Sequence, residues 1–211
     1  MNTSTNQAWS PARKFGILFF SVFFFLQIIQ MFSRFFLGNQ NMDVFYYPSL
    51  FVQNYILRLH AIPKWTHLSS GGADTLDDWV QQLAYILIAV IVAILVIAFS
   101  RRRKDYSSLY EWTKISVRYF LGAVMLLYGL NKLFFNQMVY PLLSYFYTPL
   151  GDFKPMDLAW TFVGYSPAYQ FIGGLLEVIA AVLIFFRRTL VLGLLIFLGV
   201  MSNVLMLNYL Y

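Results

Sequence analysis

"LAYILIAVIVAILVIAF", residues 83–99, contains no charged side chain and no polar group except the Tyr85 hydroxyl. Extended back to Val80 it supplies about 20 residues, and a helix of that length crosses a hydrocarbon core of about 30 Å. Four more apolar runs have a comparable length: Phe15 to Phe36, Ile115 to Phe135, Tyr169 to Phe186 and Leu190 to Leu210. None alternates apolar and polar residues with period two, so a transmembrane β-barrel is excluded and each run satisfies its backbone as a helix. The sequence therefore predicts an all-α fold, a polytopic transmembrane helical bundle with five spans. Composition agrees, because 60% hydrophobic and 11% charged residues leave too little polar surface to coat a water-soluble globule. The spans divide into an N-terminal pair with a long connection, residues 1–114, and a C-terminal core, residues 115–211.

A net charge of +6 would suggest a nucleic-acid partner in a soluble protein. Here the basic residues mark topology instead. Arg13 and Lys14, the run "RRRK" at 101–104 with Lys114, and Arg187 with Arg188 occupy alternate connections. The remaining connections hold Asp43, Asp74, Asp77, Asp78, Asp152 and Asp157, with only Arg58, Lys64 and Lys154 as cations. The positive-inside rule then places the N-terminus in the cytoplasm and Tyr211 on the outer face. The partner this charge pattern implies is the lipid bilayer, with "RRRK" touching anionic lipid, and not nucleic acid. The first run follows Arg13 and Lys14 as a signal peptide would. Its apolar part is too long and no small-x-small cleavage site follows, so it reads as an uncleaved anchor. The absence of cysteine removes disulfides, thiolate metal sites and thiol redox chemistry from this chain.

Between the first two spans, "DVFYYPSLFVQNYILRL" at 43–59 predicts a short amphipathic helix in the outer interface, followed by the more flexible "HLSSGGADT" at 67–75. Asp74 or Thr75 can cap the next helix, and Asp77 and Asp78 face the positive end of its dipole. The second span is expected to pack peripherally against lipid. The connection at 136–168, rich in Tyr, Phe and Pro with Trp160, suits a lid on the outer side. His60 and His67 lie in the outer loop without neighbouring ligands, so no metal site is expected. No nucleotide-binding loop, nucleophile elbow or zinc motif is present.

Charges at bilayer depth cost on the order of 2.5–3.5 kcal/mol and turn towards partners. Three fall clearly inside spans: Arg118, Lys132 and Glu177. At about 100° per residue, Arg118, Gly122, Met125, Gly129 and Lys132 share one face of the third span, and Gly173, Glu177, Ala180 and Ala181 share one of the fourth. Two such narrow faces are expected to meet. From the helical rise, Lys132 lies roughly 9 Å nearer the outer surface than Glu177, and Arg118 roughly 10 Å nearer the inner. Tyr128, Lys132, Glu177 and Asn203 then surround one polar pocket. Two readings of it stand side by side. In one, Glu177 pairs with Arg118 or Lys132 as a structural tie between helices. In the other, the pocket binds the polar head of a lipid-soluble molecule, with Glu177 as the catalytic proton acceptor and Lys132 or Tyr128 donating to a carbonyl. Gln27, Gln30 and Arg34 share a face of the first span and are expected to dock it onto the core.

From Arg118 onward the chain resembles the DoxX family of bacterial membrane proteins. The likeness is carried by "VRYFLGAVMLLYGLNKLF" (117–134), "GGLLEVIAAVLIFFRRTLVLG" (173–193), the last run "MSNVLMLNYLY" (201–211) and the connection "PLGDFKPMDLAWTFVGYSPAYQ" (149–170). It covers roughly the second half of the chain. The resemblance implies a four-helix core in the bacterial inner membrane, linked to quinone or sulfur redox metabolism or to oxidative-stress systems, with the redox centre on a partner protein. Lys132 and Glu177 match its charged positions. The fourth core helix would follow "NYLY", so the sequence is expected to be a fragment, or its bundle to be completed by something else. The resulting expectation is a membrane subunit of a quinone-linked redox system, with another membrane or extracytoplasmic protein as partner. A non-enzymatic scaffold subunit and a small-solute carrier are the alternatives.

Overall fold

The computed structural model describes residues 9–37, 46–58, 76–100, 105–153 and 155–209. Every regular element among them is helical. In order they are α1 (Pro11–Leu37), α2 (Tyr46–Phe51) running into a π-helical turn (Val52–Ile56), α3 (Leu76–Phe99) and α4 (Ser107–Leu133). There follow α5 (Leu143–Tyr147), a 3-10 turn (Leu150–Asp152), α6 (Pro155–Tyr165), α7 (Pro167–Phe185) and α8 (Leu190–Tyr209). Four helices are long and apolar enough to cross a membrane, over Pro11–Ser33, Asp78–Phe99, Pro167–Phe185 and Leu190–Leu207. At 27 residues α4 has the length, but Arg118, Asn131 and Lys132 interrupt its apolar stretch. The Arg34 and Asp77 side chains, Asp74, Thr75, His60, His67, the 67–75 stretch, Arg101 to Lys104, Lys154 and Tyr211 lie outside the described residues.

The chain divides into two compact units, Met1–Ile115 and Ser116–Tyr211. In the first, α1 packs along α3. Leu18 is buried with Ala93 and Tyr106, and Leu26 with Tyr85. The π-helical turn inserts Val52 against Val80 and Ala84. Gln27 donates to Gln82, Gln30 donates to Gln81, and the Tyr85 hydroxyl donates to Gln30. The glutamine stripe of α1 thus docks the helix onto α3, not onto the C-terminal core. α3 keeps an exposed apolar face of Ile86, Ile91, Ile94, Leu95 and Phe99 and packs its other face on α1. Gln81 and Gln82 precede its apolar run and turn inward, because amides at this depth find better partners on α1 than in hydrocarbon. Tyr85 is buried with them. Within "DVFYYPSLFVQNYILRL", the short helix Tyr46–Phe51 runs into the π-helical turn Val52–Ile56, with Phe51 stacked on Tyr55.

In the second unit, the part of α4 from Ser116 onward, α7 and α8 enclose a core of Met125, Ala180 and Ala181, covered by Leu126, Ile196, Phe197 and Met201. Successive contacts pair Tyr119 with Phe185, Met125 with Ala180 and Ala181, and Gly129 with Gly174. Positions rise along α4 as they fall along α7, so the two helices run antiparallel. The Ser166 side chain accepts the amide of Tyr169 and Pro167 follows it, which fixes where α7 begins.

Candidate functional site

The site grows from a crossing of two glycines. A Cβ placed on Gly129 would lie 2.9 Å from the Gly174 carbonyl oxygen and 2.8 Å from Val178 Cγ2. One on Gly174 would lie 2.8 Å from both the Gly129 oxygen and Lys132 Cβ. Neither position accepts a side chain, and the backbones touch because neither has one. One turn beyond each glycine stands a charge: Lys132 after Gly129 and Glu177 after Gly174. Side chains on a helix lean towards its N-terminus. On antiparallel helices they therefore lean in opposite directions, and these two lean towards each other across the crossing. The Lys132 ammonium pairs with Glu177 Oε1, its side chain 11% exposed and that of Glu177 fully buried.

Lys132 is also fixed by the end of its own helix. The Phe135 amide donates to Lys132 O at 3.1 Å and the Asn136 amide to Asn131 O at 2.8 Å, a Schellman closure. Phe135 adopts the left-handed conformation at φ 56° that this closure requires, at a cost of about 1–2 kcal/mol for a side-chain-bearing residue. The cation in this last turn faces the negative end of the α4 dipole as well as Glu177.

Beside the pair opens a cavity of about 430 Å³ lined by α7, α8, α6 and the segment after α4. This lies within the range of roughly 300–1,000 Å³ typical of small-molecule sites. Trp160, Val163, Met138, Leu176 and Ile196 give it apolar walls. Its polar residues are Lys132 and Glu177, Gln137, Gln170, and Tyr169 and Asn203, whose side chains meet at 3.3 Å. Gln170 is 2% exposed, yet neither its Nε2 nor its Oε1 has a hydrogen-bond partner. Glu177 Oε2 is likewise buried and unpartnered. Unmet hydrogen-bonding groups cost about 1–3 kcal/mol each when buried. The three atoms belong to two residues that line the cavity.

The structure brings Lys132, Glu177 and Asn203 of the sequence-derived pocket to one cavity, leaves out Tyr128, and keeps the ion-pair candidate Arg118 away from it. Tyr128 is half exposed and does not line it. One residue before Gly129, it points about 100° away from that glycine around the helix, off the narrow glycine face. Arg118 makes no ion pair with Glu177. It lies 14 residues before Lys132, about 21 Å along α4, and its guanidinium sits 4.8 Å from the Tyr119 ring with Nε buried and unpartnered. The close crossing is made by Gly174. Gly173, named from the sequence, has nothing within 4 Å of a built Cβ and instead lines the cavity. Gln170 escaped the sequence reading, although it stands seven residues, two helical turns, before Glu177 on the same face. The connection at 136–168 does contribute walls. Its rings associate with one another, Tyr140 stacked on Tyr165 and Phe146 set edge-on to it, while Met138, Val163 and Trp160 turn to the cavity. Among the described residues no group of three or more His, Cys, Asp or Glu could hold a metal ion.

Chemically, the cavity offers a cation with N–H bonds to spare, a carboxylate oxygen able to accept a hydrogen bond or a proton, and an amide that can do either, all beside apolar walls. The chain is 36% identical to the uncharacterized protein YwoB of Bacillus subtilis (strain 168) over 94 residues, which is 44% of this chain. It spans 58% of that relative's length. No protein-family model and no solved structure matches the chain.

Proposed function

We propose that the chain is a five-span inner-membrane protein, N-terminus in the cytoplasm, whose cavity binds a quinone-like molecule as the membrane subunit of a redox system. The observation that carries this reading is the trio of unpartnered buried atoms, Gln170 Nε2, Gln170 Oε1 and Glu177 Oε2, on two residues that line a largely apolar cavity. A quinone-like head fits these residues. Lys132 Nζ and Gln170 Nε2 donate to ring oxygens, Glu177 accepts a proton, and the apolar walls take the ring and the start of a tail. Bound, such a molecule would supply the electron chemistry that the side chains do not, with its electron donor on a partner protein. The resemblance to DoxX proteins supports the same class. The alternation of basic connections supports the orientation, and the apolar residues flanking Arg118 and Lys132 support α4 as a span once its cation is paired.

The test is solvent extraction and mass spectrometry of lipid-soluble molecules carried by the detergent-purified protein, comparing wild type with Glu177→Gln and Lys132→Met at matched folding. A near-stoichiometric quinone that falls at least tenfold in both variants is the expected result. Cofactor at the background of bulk lipid in wild type, with variants that are only less stable, would remove the reading and leave the ion pair as a structural tie in a scaffold subunit.

A further inference from the structure

We infer that the cavity is built for a head group that donates a hydrogen bond, a hydroxyl, in preference to one that only accepts. The asymmetry lies in Glu177. Its Oε1 is held by Lys132, and an ionised carboxylate oxygen can only accept. Oε2 has no O–H or N–H partner within the protein and belongs to a residue that lines the cavity, so its complement is a donor. A carbonyl placed against it would set two acceptors face to face. Gln170 imposes no opposite demand, because its free amide offers one donor and one acceptor and a hydroxyl satisfies either. Lys132 can donate to the oxygen of the same hydroxyl. The complement of the wall is a small head carrying at least one hydroxyl and continuing into an apolar body.

Two classes of membrane molecule carry such a head: the reduced, dihydroxy form of a quinone, and a hydroxyl-bearing lipid such as a diacylglycerol. Only the first rests on the function proposed above. In that case the cavity holds the reduced form more tightly than the oxidised one.

Equilibrium binding under anaerobic conditions separates the cases, using the full chain in nanodiscs with a decyl-substituted benzoquinone, the matching hydroquinone and dioctanoylglycerol. The expected result is hydroquinone binding at least about tenfold tighter than the quinone, equivalent to a rise of about 30 mV in the midpoint potential of the bound two-electron couple. Glu177→Gln should abolish that preference by weakening the hydroquinone, because a carboxamide oxygen is a weaker acceptor than a carboxylate. Gln170→Leu should weaken the hydroquinone about tenfold without lowering the melting temperature, because the wild-type amide has no partner in the protein to lose. A structural glutamine would show the reverse, unchanged binding and a lower melting temperature, and that result overturns its place in the site. Equal binding of quinone and hydroquinone overturns the hydroxyl preference while leaving the quinone reading intact. Dioctanoylglycerol binding without either ring compound supports the hydroxyl preference and overturns the quinone reading. Binding of none of the three overturns both. The wild-type comparison decides the matter even if Glu177→Gln fails to fold.

Discussion

Lys132 and Glu177 are each tolerable in the bundle only because of the other. Removing one charge leaves its buried partner uncompensated, and Lys132→Met should destabilise the protein by about 3–5 kcal/mol. The double change Lys132→Met with Glu177→Met removes both charges and should recover most of that loss while still abolishing ligand binding. Unfolding in mixed micelles, followed by circular dichroism, measures both. A double variant no more stable than the single one would show that the pair is not what holds these residues inside. At this scale the sequence was legible where the bilayer makes a residue expensive. Lys132 and Glu177 stand out because a charge within an apolar run has few ways to be satisfied. Gln170 did not stand out, since a glutamine one turn into a helix has an ordinary reading. Only its burial, with both polar atoms unpartnered, marks it.

Helix pairing in this chain rests on two devices, and each follows from the hydrocarbon environment. Between α1 and α3, Gln27, Gln30, Gln81, Gln82 and Tyr85 bond to one another, because an amide side chain that misses a partner cannot fall back on water. Between α4 and α7, Gly129 and Gly174 let the backbones touch and leave the charges beyond them within reach. The glycines make a contrast that stability measurements can check. Gly174→Ala forces a Cβ to within 2.8–3.0 Å of the Gly129 oxygen, Lys132 Cβ and the Leu133 nitrogen, and should cost about 1–3 kcal/mol as overpacking. Gly173→Ala meets nothing within 4 Å and should leave the melting temperature unchanged while narrowing the cavity and weakening ligand. Equal destabilisation by the two changes would rule out Gly174 as the crossing point. The sequence showed that adjacent glycines lay near Glu177; which of them faces α4 depends on the rotation of α7, a property of the packed pair.

For the molecule as a whole, the apolar runs, the alternating basic connections and the absence of cysteine combine into a direct test of topology. Single cysteines in a chain that has none can be labelled by a membrane-impermeant maleimide without a cysteine-free background having to be built. With α4 as a span and the N-terminus in the cytoplasm, Tyr147→Cys should label in intact cells or right-side-out vesicles. Ser10→Cys and Ser107→Cys should label only after permeabilisation. Labelling of Ser107→Cys and Tyr147→Cys from the same side would remove α4 from the spans, and labelling of Ser10→Cys from outside would invert the orientation.

The sequence by itself determined the solvent and hence the class of structure, because a hydrocarbon core rejects unpaired backbone and tolerates few charges. Run length and charge placement then suffice to locate helices and to single out Lys132 and Glu177. Only the tertiary structure decided which polar groups meet. It gave Lys132 rather than Arg118 to Glu177, turned Tyr128 away, brought Gln170 to the cavity and tied α3 to α1. Those choices depend on the rotation and antiparallel offset of packed helices. A few tens of degrees about a helix axis separates a residue in the seam from one facing lipid, and that angle is fixed by contacts between residues far apart in the chain.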